Sequence, residues 1–286
     1  MVTLIGSGNV ATWMAQRLQG SLRFPVTQVY SRKLENAQRL AELSGAKAID
    51  DLKALNPDNK IFIFALADNA YETVLPQLPF RLPAAFMTSG TVSCQCLKDY
   101  ADHYGVIYPL QTFTKTQDMK ELEVPLCLEY SEPTFPIVGT NYRELMWALA
   151  RELSPNCFEV SETQRAQMHV AAVFACNFSN AMYQIAYKLL EENGLPFEIL
   201  LPLLRQTVEK VSQMTPMEAQ TGPAVRGDVN VMRKQMESLE NERLREIYRV
   251  ISEVILENFQ EGCKPDTCQP RVSDSEPWGR MTMNER

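Results

Sequence analysis

The chain opens MVTLIGSGNVATWMA, and no other stretch limits its fold so strongly. Val2–Ile5 is apolar and β-prone, Gly6-Ser7-Gly8 follows at once, and Asn9 begins a run with Val10, Trp13, Met14 and Leu18 on one helical face. A strand that turns through two glycines straight into a helix starts a β-α-β unit. The alternation then continues. Strands are predicted at Val26–Tyr30 and Lys47–Ile49, over 60–66 (KIFIFAL), 84–88 (AAFMT), 105–108 (GVIY) and 124–130 (VPLCLEY), and as a last edge strand over 157–160 (CFEV). Helices are predicted over 9–18, 34–43, 69–78 and Tyr142–Leu153. The unbroken apolar run at 60–66 is that of a strand buried on both faces of a parallel sheet. Together these elements predict a doubly wound α/β domain.

Gly6-x-Gly8-x-x-Ala11 matches the dinucleotide fingerprint, with alanine in the third place. Gly6 permits the tight turn out of the strand, Gly8 lets the backbone approach a pyrophosphate, and Ala11 lets helix and strand pack closely. The free N–H groups and partial positive charge of the helix start face the phosphates. Gly6, Ser7, Gly8, Asn9 and Val10 are therefore candidate cofactor-binding residues. An NAD-type site would end the second strand on Asp or Glu, which accepts from the ribose 2′-OH. Here the chain reads Tyr30-Ser31-Arg32-Lys33. A carboxylate would repel a 2′-phosphate, whereas Ser31, Arg32 and Lys33 can bind one. The expected cofactor is NADP(H).

Ligands of open α/β sheets lie at the carboxyl ends of the strands. Three further strand ends carry small or polar residues: Ala67-Asp68-Asn69, Ser89-Gly90-Thr91, and the segment 109–115 with Gln111, Thr112, Thr114 and Lys115 around Phe113. Ala67, Asp68, Ser89 and Gly90 join the cofactor candidates. Gln111 and Lys115 are candidate substrate contacts.

The pattern changes after 154–162. Ser161 and Gln164 form a capping-box signature, and no proline or glycine interrupts the chain from there to Asn193. Gly194 is placed to end that helix, and Pro196 to start the next. The long helix carries His169, Asn177 and Asn180 among alanines and bulky apolar residues (MHVAAVFACNFSNAMY), and a core helix should not bury such groups unpartnered. His169 and Asn177 lie about 12 Å apart along the axis and ~80° around it, so both can face one elongated cleft. TGPAVRGD (221–228) separates two helices and bears Arg226 and Asp228. Leu244, Ile247, Tyr248, Ile251, Ile255 and Phe259 make an apolar stripe at helical spacing. The expected organisation is a Rossmann domain over 1–155, an all-helical domain over 156–260 and a loosely ordered tail over 261–286.

Bulk properties narrow the function classes. A formal net charge of −7 offers no basic footprint for nucleic acid. No apolar run approaches a membrane span, and the strand-turn motif at the start leaves no room for a signal peptide. Seven cysteines without zinc or thioredoxin spacing read as reduced thiols of a cytoplasmic protein, and two histidines exclude a histidine-rich metal site. No metal is expected.

The segments GSGNVA, YPLQTFTK (108–115), HVAAVFACNFSN (169–180) and TGPAVRGD, spread over nearly the whole chain to about residue 258, resemble the Rossmann-like two-domain bacterial proteins whose helical half is domain of unknown function 2520. The resemblance implies an NADP-type Rossmann domain and a helical domain similar to those of pyrroline-5-carboxylate reductase, ketopantoate reductase and 6-phosphogluconate dehydrogenase. It implies an oxidoreductase without naming a substrate. The related 3-hydroxyacid dehydrogenases place a lysine and an asparagine four residues apart on this helix. With Asn177 as the asparagine, the lysine position holds Val173; with His169 in the lysine's place, the asparagine position holds Val173. The lysine acid–base machinery does not carry over.

Two readings follow. In the first, an NADPH-dependent reductase or dehydrogenase uses His169 as proton donor in an interdomain cleft, because an imidazole's unperturbed pKa lies nearest to working pH. Asn177 and Thr112 orient the substrate, Asn180 lines the cleft, and Arg226 holds a carboxylate or phosphate. In the second, the protein binds NADP(H) as a sensor or scaffold without turnover. Either way, the apolar helices predict a homodimer.

Overall fold

The computed structural model describes residues 1–114, 119, 122–131 and 141–262. All but the first two residues of the expected tail lie outside the described residues, as do Cys263 and Cys268. The first two βα units follow the sequence pattern closely: β1 (Val2–Ile5), α1 (Asn9–Arg17), β2 (Val26–Tyr30), α2 (Leu34–Ser44) and β3 (Lys47–Ile49). β4 (Ile61–Phe64) is buried at all four positions. The helix expected over 69–78 is broken. A 3-10 turn at Asp68–Ala70, a short α3 (Tyr71–Val74) and a second 3-10 turn at Leu75–Gln77 replace it. Pro76 has no N–H to donate and cannot continue an α-helix there.

β5 (Leu82–Met87), β6 (Ala101–Pro109), β7 (Leu126–Ser131) and β8 (Cys157–Glu159) complete the sheet, and α4 (Tyr142–Leu153) packs beside them. The strand order is β3-β2-β1-β4-β5-β6-β7-β8. β3 to β6 run parallel, β7 is antiparallel to β6, and β8 is parallel to β7. This is the doubly wound Rossmann-like order, extended by two strands at the β6 edge.

Both faces of the sheet are covered. Val2, Leu4, Ile61 and Ile63 share one core with Trp13 and Met14 of α1, Leu40 of α2, and Leu149 and Leu153 of α4. Ile5, Phe62 and Phe64 face the other way, with Leu52, Tyr71, Leu75 and Leu97. Each fully buried side chain of this kind contributes roughly 1.5–3 kcal/mol. Alternate residues of one strand feeding two cores explains why 61–66 (IFIFAL) is apolar throughout.

The chain divides into two compact units, Met1–Tyr183 and Gln184 onward. The first unit extends past the last strand because the helix after Ser161 is tied to the sheet. That helix begins as α5 (Glu162–Ala172) with the expected Ser161–Gln164 capping box. It passes through a π-helical segment at Val173–Phe178 and continues as α6 (Ser179–Glu192). The second unit holds a 3-10 turn at Phe197–Leu200, α7 (Leu201–Gln213), α8 (Pro216–Ala219), α9 (Val229–Glu237) and α10 (Glu242–Gly262). Asp228 caps α9 by accepting from Val231 N–H at 3.2 Å. Met232 and Met236 of α9 are buried. Among the described residues no helix is long and apolar enough to cross a membrane.

Candidate cofactor and active site

Gly6 adopts φ +119, and a Cβ there would stand 2.1 Å from Ala65 O. Only glycine fits, because β4 runs directly alongside. Gly8 differs. It is the N-cap residue of α1 in extended conformation, and a Cβ on it would meet nothing within 4 Å. The turn is thus closed on the sheet side and open on the other. The first turn of α1 contains no acidic side chain, so nothing cancels its partial positive charge.

A cavity of about 860 Å³ lies over this open side. Its walls are the turn (Gly6, Ser7, Gly8), the end of β2 (Tyr30, Ser31, Arg32, Lys33, with Asn36) and the segment after β4 (Ala65, Leu66, Ala67, Asn69, Ala70, Thr73, Val74). Its size suits a ligand of cofactor dimensions. No carboxylate lines it and two cations do. Ser7 Oγ donates to Ser31 Oγ at 2.9 Å, which joins the two halves of the cradle. The turn, the cavity and the absence of a carboxylate among its lining residues fit a dinucleotide.

The sequence pointed to Gly6, Ser7, Gly8, Ser31, Arg32, Lys33 and Ala67 of this wall, with Asn69 at the same strand end, and missed Tyr30, Asn36, Ala65, Leu66, Ala70, Thr73 and Val74. Positions 70, 73 and 74 carry the i, i+3, i+4 spacing of one helical face, a signal that was available. Asn9 and Val10 do not line the cavity. Asn9 Nδ2 instead donates to Phe113 O at 2.6 Å, and the Phe113 ring lies 5.4 Å from that of Trp13. The loop after β6 is thereby fastened to α1.

A second constellation stands at the ends of β5 and β6. Ser89 Oγ and Thr91 Oγ1 donate to the two oxygens of Asp68 at 2.7 and 2.5 Å, binding the β4 and β5 loops together. Ser89 and Gly90 are buried and do not reach the cavity over the turn. Tyr108, at the end of β6, places its hydroxyl 2.9 Å from His169 Nδ1. Gly90 lies against both rings, since a Cβ there would come within 2.6 Å of His169 Nδ1 and 3.0 Å of Tyr108 Cζ. Burial, above all, holds the Tyr108 phenol above its usual pKa; the Cys127 thiol adds to this and Arg165 opposes it.

Arg165, one turn before His169, is fully buried. Its Nε donates to Glu129 Oε2 at 3.0 Å and its Nη1 to Ser89 O at 3.0 Å, while Nη2 has no partner among the described residues. Cys94 Sγ donates to the other Glu129 oxygen at 3.1 Å, and burial pushes that thiol well above its ordinary pKa. Sequence reading passed over Arg165, Glu129 and Tyr108. An arginine among polar helix residues looks like a solvated charge until the strand that pairs with it is known.

The other predicted residues scatter. Gln111 and Thr112 are exposed and bond to each other, Thr112 N–H donating to Gln111 Oε1 at 2.8 Å. Asn177 and Asn180 are exposed. The long helix is therefore not a core helix within one chain, and its polar groups need no buried partner. The π segment also changes the phase between His169 and Asn177, so the ~80° expected of a regular helix does not apply. Arg226 is exposed in the second unit. Lys115 lies outside the described residues. Among the described residues, no group of three His, Cys, Asp or Glu could hold a metal ion.

Comparison with known proteins gives the same fold. Residues 139–255 match the family model described as domain of unknown function (DUF2520). A Bacteroides fragilis protein, named provisionally as an NADP oxidoreductase, is 35% identical, with 90% of this chain and 97% of that chain covered and a TM-score of 0.79. A pyrroline-5-carboxylate reductase from Coxiella burnetii (17% identity, 92% and 98% covered, TM-score 0.55) shares the fold. So does a reductive aminase from Aspergillus terreus solved with NADPH (17%, 91% and 94%, TM-score 0.60). A search of curated proteins gave no match.

Proposed function

The chain belongs to the family of two-domain Rossmann-like proteins that carry the DUF2520 domain, and from that premise we propose that it is an NADP(H)-dependent oxidoreductase acting on a small molecule. The single observation that carries the cofactor choice is the carboxylate-free cavity with Arg32 and Lys33 at the end of β2. The glycine turn and the N–H groups of α1 hold the pyrophosphate. Ser31, Arg32 and Lys33 hold the 2′-phosphate. When bound, the reduced nicotinamide supplies a hydride.

His169 supplies the proton. Its Nε2 has no bond to protein among the described residues, and the side chain is only half-buried. The Nε2–H bond breaks with its electron pair left on nitrogen, and the substrate heteroatom takes the proton. Asn177, further along the same helix, and Thr112, on the loop held by Asn9, orient the substrate. The Asp68–Ser89–Thr91 cluster sets the shape of the strand ends beneath it.

The same reading includes a homodimer. Phe174, Leu203 and Val208 are 62–65% exposed in the single chain, and Tyr187, Ile199 and Val254 nearly half exposed. A soluble chain rarely leaves so many large apolar side chains in water, and a second copy covers them.

A ligand screen tests the function. NADPH and NADH are offered with a panel of oxo acids, aldehydes and imines, and loss of the reduced nicotinamide absorbance is followed. Turnover of NADPH with one class supports the reading. Tight NADPH binding with no oxidation across the panel would turn it toward a sensor.

A further inference from the structure

We propose that Tyr108 is a positioning residue that holds the His169 imidazole as its Nε2–H tautomer, so that the site presents a hydrogen-bond donor and selects a substrate whose reacting group is an acceptor, a carbonyl oxygen or a neutral imine nitrogen. This rests on the reductase reading above and adds the atom that meets the substrate.

Three observations carry it. The Tyr108 hydroxyl belongs to a residue only 9% exposed, and Nδ1 of His169, at 2.9 Å, is its one hydrogen-bond partner among the described residues. Nε2, across the ring, has no protein partner and is not among the buried unpartnered atoms. Gly90 supplies the space in which the two rings meet, because any side chain there would strike Nδ1.

The tautomer follows from which group tolerates being unpaired. With the proton on Nδ1, the imidazole donates to Tyr108, and the buried phenol O–H is left without an acceptor. With the proton on Nε2, the phenol donates to Nδ1, and the unpaired N–H sits where water or substrate can receive it. Stranding a buried hydroxyl biases the neutral ring toward the second arrangement by about 5- to 150-fold. Burial also keeps Tyr108 a phenol rather than a phenolate, so it retains the proton it donates. When the ring is charged both nitrogens carry protons, and Nε2 still donates. In either state an amine cation or another donor finds no partner at Nε2, whereas a carbonyl or neutral imine does.

The tautomer is read without cofactor or substrate, so its failure is distinct from failure of the reductase reading; NADPH titration is a separate readout. The full chain contains two histidines, His103 and His169. Long-range ¹H–¹⁵N spectra of the ¹⁵N-labelled protein, above the imidazole titration, resolve both, and the set missing in His169→Gln identifies His169. The expected result is a pyrrole-type Nε2 and a pyridine-type Nδ1 in the unmutated chain. Tyr108→Phe, which removes one oxygen, should give an average of both tautomers with NADPH affinity changed less than twofold. Gly90→Ala should disturb the same resonances. A pyrrole-type Nδ1 in the unmutated protein would overturn the proposal. So would a Tyr108→Phe spectrum identical to the unmutated one, or NADPH affinity that falls with the hydroxyl.

Discussion

Arg165 and Glu129, 36 residues apart in sequence, meet as a buried ion pair with Nε 3.0 Å from Oε2. The arginine side chain is fully covered and the glutamate 13% exposed. The pair locks α5 onto β7, and through Ser89 O it also grips the end of β5. His169 is one turn further along α5, so this anchor fixes where the imidazole stands.

Breaking one partner of such a pair leaves a charge stranded in the interior and costs about 3–5 kcal/mol. Glu129→Ala should therefore lower Tm by roughly 6–20 °C, given about 2–4 °C per kcal/mol in a chain of this size. Asp102→Ala is the control. Its pair with Arg81 is about half exposed on both sides, and loss of such a surface pair costs about 0–1 kcal/mol. Thermal melts of the two variants that coincided would contradict the anchor.

Gly6 and Gly8 should respond oppositely to alanine. At Gly6 the new Cβ strikes Ala65 O at 2.1 Å in a positive-φ backbone, so Gly6→Ala should lose stability as well as cofactor. At Gly8 the Cβ meets only open space, so Gly8→Ala should melt like the unmutated chain. A branched side chain there, as in Gly8→Val, fills the volume the pyrophosphate needs, and both NADPH and NADH should be lost. Denaturation and cofactor titration on the same preparations separate the two effects.

The Rossmann half was legible because each signal is local. Val2–Ile5, the glycine turn and the apolar 61–66 run state their own environments. What stayed hidden depends on distant pairings. Tyr108 read as one more strand residue, and Arg165 as one more helix charge, because nothing in sequence says that β6, β7 and α5 converge. Asn177 and Asn180 are the converse case: polar groups on an alanine-rich helix suggested a buried helix, and both are exposed within one chain. The break at 69–78 is readable from Pro76, which cannot continue an α-helix.

The exposed apolar side chains predict self-association. Analytical ultracentrifugation at micromolar concentration should show a species of twice the 32.5 kDa chain mass. Replacing Leu203 and Val208, each 62% exposed, with glutamate should shift it toward the single chain. A single-chain species alone in the unmutated protein would rule the homodimer out.

His169→Ala should lower kcat on an identified substrate by about 100-fold or more, the usual contribution of a positioned acid, while NADPH affinity stays nearly constant. Steady-state kinetics beside direct cofactor titration make the distinction. An unchanged kcat would leave His169 a structural partner of Tyr108.

The central claim is that Ser31, Arg32 and Lys33 choose the phosphorylated cofactor. Calorimetric titration of the unmutated chain and of Arg32→Ala with NADPH and NADH tests it most directly. A charge-assisted bond contributes about 1.5–3 kcal/mol, roughly 10- to 150-fold in affinity, and the exposed position of Arg32 favours the lower end. NADPH should bind the unmutated chain more tightly than NADH, and Arg32→Ala should weaken NADPH by about that factor while leaving NADH nearly unchanged. Tighter binding of NADH by the unmutated chain, or equal loss of both cofactors in Arg32→Ala, would contradict it.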